Sequence, residues 1–205
     1  YKGNVPVNYG GRLSSVFNIL TRKGNLKNFS AHAGISPVSA HATFEGPVVK
    51  EKVSLLVSGR TSYSDWMLGK MEDPLLRESK AGFYDFAGSV HISPGEKNSI
   101  NGFYYQSHDR FAYGDIADYE YGNRGGSVIW KHTFSPALSS TVTAALSQYS
   151  FAHVDKQELS QAYKHQYRLG HNELITEFSW NPALKHHIEF GMNLVNYSLD
   201  RGMVS

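Results

Sequence analysis

The chain has 205 residues, a formal net charge of +2 and no cysteine, which excludes disulfide scaffolds, cysteine nucleophiles and cysteine-ligated metal sites. The basic residues are scattered, so no arm or stripe indicates nucleic-acid binding. No window approaches the roughly eighteen consecutive apolar residues of a transmembrane helix, a criterion that misses transmembrane β-strands because only alternate residues of those face lipid.

The first stretch with a clear pattern is 5–25, a turn followed by one predicted strand and a second turn. Two adjacent glycines lie in the first turn, where the backbone can take a positive φ or approach other backbone closely. Residues 15–22 then alternate between two faces, and a Lys-Gly-Asn sequence ends the strand with residues that are typical of turns.

From residue 29 onward, the sequence predicts one strand after another. The clearest is 53–63, in which apolar and polar residues alternate over a length well beyond that of a usual strand. The other predicted strands are 29–35, 40–45, 83–92, 99–109, 123–134, 140–153, 168–180 and 187–199. We therefore expect an all-β chain of about nine strands.

The predicted connections alternate between short and long. Short turns contain Pro47, Pro94, Pro136 and Pro182. Long polar connections are predicted at 64–82, 110–122 and 154–167. This alternation favours an antiparallel up-and-down β-barrel portion, because outer-membrane barrels have tight turns at one end and long loops at the other. A Greek-key sandwich would mix connection lengths at both ends. A β-solenoid is the alternative architecture after the up-and-down barrel portion.

One face of the predicted sheet is apolar and the other carries charges. We expect the apolar face to contact lipid, because a sandwich core could not hold the charges of the other face cheaply. The residues predicted to face lipid are Leu55, Val57, Phe86, Trp130, Phe178 and Phe190. The residues predicted to point inward are Arg60, Asp85, Lys131, Glu177 and Glu189.

The stretch 5–25 resembles the closing segment of the plug domain of TonB-dependent outer-membrane receptors. Those plugs end in a Tyr-Gly segment, a hydrophobic strand and a Thr-Lys/Arg-x-Gly turn. The residues that match are Tyr9, Gly10, Gly11, Arg12 and Gly24. Residues 43–48, 50–54 and 59–63 are similar to the first barrel strands of the family. The match fits the branch that carries a carboxypeptidase-regulatory-like domain better than the SusC glycan importers.

The resemblance implies that residues 1–25 are the C-terminal end of a plug domain and residues 26–205 the N-terminal part of a transmembrane β-barrel. Barrels of this family have about 22 strands around a plug. The chain begins at Tyr1 without Met or a signal peptide, so we expect it to be part of a longer protein.

The implied function is transport, not enzymatic catalysis, and no cofactor is expected. Such a protein lies in the outer membrane of a Gram-negative bacterium, surrounded by outer-membrane lipid, and imports a scarce nutrient with energy transmitted by TonB. The ligand is an unidentified small molecule, glycan or peptide, and a surface lipoprotein is a further candidate partner. Two alternatives stay open: a small outer-membrane barrel acting as an adhesin or structural protein, and a soluble β-sandwich binding module.

Two groups of residues are candidates for function. The resemblance implies that a plug arginine pairs with acidic residues of the lumen, so we expect Arg12 to approach a carboxylate, unless it is a solvated surface arginine. The candidate carboxylates are Glu45, Glu177 and Glu189. Aromatic-rich outward loops suit a sugar, peptide or chelate ligand. The candidate ligand-binding loop residues are Trp66, Phe111, Tyr113, Tyr119, Tyr121 and Tyr163, whereas Tyr63 and Phe83 are assigned to an interfacial aromatic belt.

No catalytic or metal site is predicted. His186 and His187 precede Glu189, but adjacent side chains of a strand point to opposite faces and cannot converge on one ion. Ser14 and Ser15 lack the glycines of a nucleophile elbow.

Overall fold

The computed structural model describes Gly10, Ser15 and residues 21–156 and 163–202. Nine strands in this part of the chain form one antiparallel sheet, in which each strand pairs with its neighbours in sequence. The strands are β1 Ser30–Ile35, β2 Ser39–Val49, β3 Val53–Ser62, β4 Lys80–Gly95, β5 Asn98–Tyr113, β6 Ala117–Ser135, β7 Leu138–Asp155, β8 Lys164–Ala183 and β9 His186–Asp200. The predicted all-β, up-and-down sheet is therefore confirmed. The predicted strand at 15–22 lies mostly outside the described residues.

Tight turns gather at one end of the sheet, which we call the tight-turn end; the other end is the distal end. The tight turns are 50–52, 96–97, 136–137 and 184–185. The predicted long loop at 110–122 is wrong, because β5 and β6 continue as strands and only residues 114–116 connect them. Gly114 has a φ of 49°, which suits the reversal. The predicted loop at 154–167 is likewise shorter, since β8 begins at Lys164.

The connection between β3 and β4 is long, as predicted, and it holds two short helices, α1 Asp65–Leu68 and α2 Pro74–Glu78. Asp73 begins α2: its Oδ1 accepts a hydrogen bond of 2.8 Å from the backbone N–H of Leu75, and Pro74 occupies a position where no N–H is needed. Among the described residues, no helix has the length and apolar character required to cross a membrane.

The pairing register places the two predicted residue sets on opposite faces of the sheet. Leu55 pairs with Val90, and the same row continues strand by strand to Leu194. This face, the apolar face, contains all six residues that were predicted to face lipid. Arg60 pairs with Asp85 on the opposite face, the polar face, which contains all five residues that were predicted to point inward. The predicted segregation is therefore confirmed.

Five consecutive rows of the apolar face contain no Asp, Glu, Lys or Arg. The row nearest the distal end includes Val57, Tyr104 and Leu146, and the row nearest the tight turns includes Trp180 and Ile188. At about 3.4 Å per residue, five such rows cover roughly 27 Å along the strands. We call these rows the charge-free band.

Candidate functional site

Residues 21–28, which we call the docked segment, lie against the polar face of β2 and β3. Gly24 is buried there. A Cβ atom on Gly24 would lie 2.5 Å from the carbonyl oxygen of Leu55, so only glycine allows this approach of backbone to backbone. Thr21 and Arg22 border a hollow together with Leu56 and other residues of the polar face. The docked segment therefore contacts the sheet on its charged side.

A single carboxylate anchors the docked segment. Glu45 is only 6% exposed, and its Oε2 accepts hydrogen bonds from Nη1 of Arg22 at 2.5 Å and from the backbone N–H of Asn25 at 3.1 Å. The bond to Glu45 raises the pKa of the Arg22 guanidinium above its ordinary value. The backbone N–H of Glu51 also donates to the carbonyl of Leu26 at 3.0 Å, which ties the segment to the turn between β2 and β3.

In the described part of the chain, Arg22 contacts Glu45, and the predicted contact of Arg12 stays a prediction. Arg12 lies outside the described residues, and the described cation on Glu45 is Arg22. A signal for Arg22 was present in the sequence, because it is the first of the two basic residues in the Thr-Arg-Lys-Gly turn that ends in Gly24. The other two candidate carboxylates, Glu177 and Glu189, line a second hollow of the polar face, which Gly10 also borders.

Aromatic rings cover the polar face at the distal ends of β5 to β8. Phe111 and Tyr119 are cross-strand partners with ring centroids 6.3 Å apart, and Tyr119 stacks on His153 at 4.5 Å. His153 in turn meets the edge of Tyr163 at 5.6 Å. These four rings form a continuous line across the strands.

A second line of rings lies one row nearer the tight turns. Tyr121 is 5.2 Å from Phe151, and Phe151 is 5.2 Å from Tyr167, measured between ring centroids. Tyr167 also contacts Tyr149, with ring centroids 5.9 Å apart. We call the two lines together the aromatic surface. Offset and edge contacts of this kind hold rings in defined orientations.

Most of the predicted ligand-binding residues lie together on this surface, and all of them except Tyr163, which precedes β8, are on strands and not on loops. They are Phe111, Tyr113, Tyr119, Tyr121 and Tyr163. Trp66 is separate: it lies on α1 and donates its Nε1–H to the carbonyl of Pro37 at 2.9 Å. The assignment of Phe83 to a lipid-facing belt is wrong, because Phe83 pairs with Asp109 on the polar face.

Sequence reasoning missed several rings of the aromatic surface, among them Phe151, His153, His165 and Tyr167. Their signal was the alternation of rings at 149, 151 and 153 and at 163, 165 and 167. This is the two-residue period of a strand, so the rings at 163, 165 and 167 would have extended the predicted strand 168–180 into the predicted loop. The rings at 149, 151 and 153 already lay within the predicted strand 140–153.

The charges beside the aromatic surface are unevenly arranged. Arg60 binds the Oδ2 atom of Asp85 through Nε at 2.9 Å and Nη2 at 2.7 Å, and its guanidinium lies 4.9 Å from the ring centre of Phe83. Asp109 is exposed and lies between its cross-strand partners Phe83 and Tyr121. The polar face therefore carries a free carboxylate at this end.

The histidines near the tight turns do not gather into a metal site. Nδ1 of His187 lies 2.7 Å from the amide oxygen of Asn181, and its Nε2 lies 3.0 Å from a carboxylate oxygen of Glu189. His186 precedes it on the strand and faces the other way. Within the described ranges, no three His, Cys, Asp or Glu side chains are placed to hold a metal ion. No protein-family model, curated protein or solved structure matches the chain.

Proposed function

We propose that this chain forms part of a TonB-dependent transporter of the bacterial outer membrane. In this proposal the apolar face contacts lipid, the polar face lines the lumen, the docked segment is the end of a plug, and the aromatic surface meets the ligand. One observation carries the proposal: the docked segment and the aromatic surface share the polar face, opposite the charge-free band.

The height of the charge-free band supports a membrane location. Five rows cover roughly 27 Å along the strands, and a tilt of about 40° reduces this to about 21 Å, which is close to the roughly 25 Å of an outer-membrane barrel. Aromatic residues lie on the apolar face near the tight turns, where an interfacial girdle is expected. They are Phe178, Trp180 and Phe190.

The contacts of the docked segment suit a plug that must stay closed and still be displaced. At position 24 only glycine allows the backbone to lie this close to Leu55, and this backbone contact helps to position the segment. Arg22 and Asn25 then fix it through Glu45. An ion pair of this kind fixes the position of the segment more than it adds net stability. A force that pulls on the segment would have to break only the hydrogen bonds to Glu45 at this point. We infer that force from TonB releases the segment at this carboxylate.

The two alternatives need arrangements that differ from the described sheet. A β-sandwich requires two sheets packed face to face, whereas the described strands form one sheet. A small closed barrel requires its first and last strands to pair, and β1 and β9 do not pair with each other. In the proposed transporter, further strands pair with these two edges.

The test uses the full-length protein in a Gram-negative host that lacks its own transporter for the nutrient under test. We expect the protein in the outer-membrane fraction, with electrophoretic mobility that changes on heating, as folded barrels show. Expression should improve growth on a limiting peptide, glycan or chelate, and deletion of TonB should abolish the improvement. Recovery in the soluble fraction, or growth that is independent of TonB, would contradict the proposal.

A further inference from the structure

Asp109 lies in an unusual setting at the distal end of the polar face. Its cross-strand partners are Phe83 on β4 and Tyr121 on β6, whose side chains lie about 5 Å away between Cβ atoms in such pairs. A hollow of about 480 Å³ is lined by these three residues, by Phe111 and by the start of the β3–β4 connection. Asp109 is exposed, and no described residue forms a hydrogen bond or ion pair with its carboxylate.

The charge balance around the hollow disfavours an anionic ligand. Arg60 is the described cation of this end of the polar face, and two hydrogen bonds to Asp85 already balance its charge. Arg110 borders the hollow, but it alternates with Asp109 along β5, so its side chain projects from the apolar side of the strand. Arg124 and Arg168 project from the same side. The carboxylate of Asp109 is thus the uncompensated charge that a ligand would meet.

The rings around Asp109 suit a cation as well. The guanidinium of Arg60 lies over Phe83 at 4.9 Å from the ring centre, which shows that a ring of this face accepts a cation. Tyr121 and Phe111 offer further ring faces beside the carboxylate. A carboxylate between aromatic rings matches an ammonium or guanidinium group, which gains a charge-assisted hydrogen bond and cation–π contacts together.

We propose that the hollow at Asp109 is a subsite for a cationic group of the ligand, and that the ligand is an organic cation bearing an ammonium or guanidinium group. The remainder of the ligand lies along the aromatic surface, beginning at Tyr121. This inference rests on the proposed function, because it assigns the ligand class of the same transporter.

The test compares three probes that share one ring and differ in charge: phenylethylammonium, phenylethanol and phenylacetate. Their binding to the purified full-length protein in detergent is measured by calorimetric titration and ligand-observed NMR. We expect the cation to bind most tightly. Asp109→Asn should weaken it at least tenfold, as the loss of a charge-assisted hydrogen bond implies, and leave phenylethanol unchanged. Asp115→Asn is the matched control, since Asp115 is an exposed carboxylate of the adjacent turn, outside the hollow.

Several outcomes would overturn the subsite. These are the absence of binding by any probe, equal binding of all three, or equal weakening by the two substitutions, which would indicate only the general field of the protein. Thermal unfolding of the Asp109→Asn variant checks that an exposed isosteric change leaves the fold intact. A cation preference without TonB-dependent uptake would refute the transporter and keep the subsite. Uptake that does not depend on Asp109 would refute the subsite and keep the transporter.

Discussion

Replacing Val128 by arginine tests whether the apolar face contacts lipid. Val128 lies on β6 in the same row as Leu55 and Leu174, inside the charge-free band. Its side chain is 51% exposed in the sheet, so in water the substitution would change stability by less than about 0.5 kcal/mol. In lipid the same exposure becomes contact with hydrocarbon, and the arginine is costly.

The magnitude follows from the depth of Val128. Its row is the second of the five, one row from the centre of the band, which is about 7 Å along the strand and about 5 Å in depth at the usual tilt. An arginine on the lipid face costs about 2–4 kcal/mol at the midplane and about 0–1 kcal/mol near the interfaces. We therefore expect a loss of about 2–3 kcal/mol for Val128→Arg, and a similar loss for Leu55→Arg.

The assay is denaturant unfolding of the full-length protein in phosphatidylcholine vesicles, followed by tryptophan fluorescence. Ser127→Arg is the matched control, because Ser127 is the preceding residue of β6 and lies on the polar face. It should lose much less stability than Val128→Arg. Equal losses for the two variants, or a loss below about 0.5 kcal/mol for Val128→Arg, would refute the assignment of the apolar face to lipid.

Three further predictions concern the docked segment and the aromatic surface. Arg22→Ala leaves the carboxylate of Glu45 with one described hydrogen-bond donor. We expect the docked segment to loosen and the cells to become sensitive to a large antibiotic that the outer membrane excludes, whereas Arg22→Lys should stay near wild type. Equal sensitivity of the two variants would contradict the role of Arg22 as an anchor. Gly24→Ala places a Cβ against the β3 backbone and should cause the same antibiotic sensitivity without any change of charge. Wild-type resistance in this variant would show that the close approach of the two backbones is dispensable. Tyr119→Ala removes the ring that stacks on His153 at 4.5 Å, so we expect a stability loss of about 1 kcal/mol and reduced uptake. Tyr119→Phe keeps the ring and should keep the stability and uptake of the wild type. Unchanged uptake by Tyr119→Ala would show that the aromatic surface does not contribute to transport.

The sequence predicts the sheet well where its two faces have different surroundings. Within the charge-free band one face is apolar, so strands such as β3 show a clear two-residue period. Beyond the band both faces are polar, and the period is lost in the hydropathy of 110–122. There Asp118 binds Lys156 at 2.8 Å on one side of β6, and Tyr119 stacks on His153 on the other. The polarity of 110–122 therefore led to the prediction of a loop, although its aromatic residues alternate with the two-residue period of a strand.

The candidate site was predicted in part because its two halves depend on different information. The aromatic surface is assembled from neighbouring strands, so local alternation is enough to bring its rings together. The contact between Arg22 and Glu45 depends on how the chain folds back before β1, which no local pattern specifies. The close approach of Gly24 to Leu55 sets that path, and these two residues are 31 positions apart in the sequence (55 − 24).

Three prolines at strand ends beside the tight turns help to keep the two faces separate along such long strands. A slip of one residue would move every side chain to the other face. The register shifts between described strands lie at the tight-turn end, at Pro47/Val49, Ile92/Gly95, Thr133/Ser135 and Trp180/Ala183. Proline has no N–H to donate and is tolerated at bulges, and Pro47, Pro94 and Pro182 fall within these shifts. The irregular residues of each hairpin thus lie beside its turn. Along the rest of the sheet, which carries the site, adjacent residues such as Trp130 and Lys131 therefore stay on opposite faces.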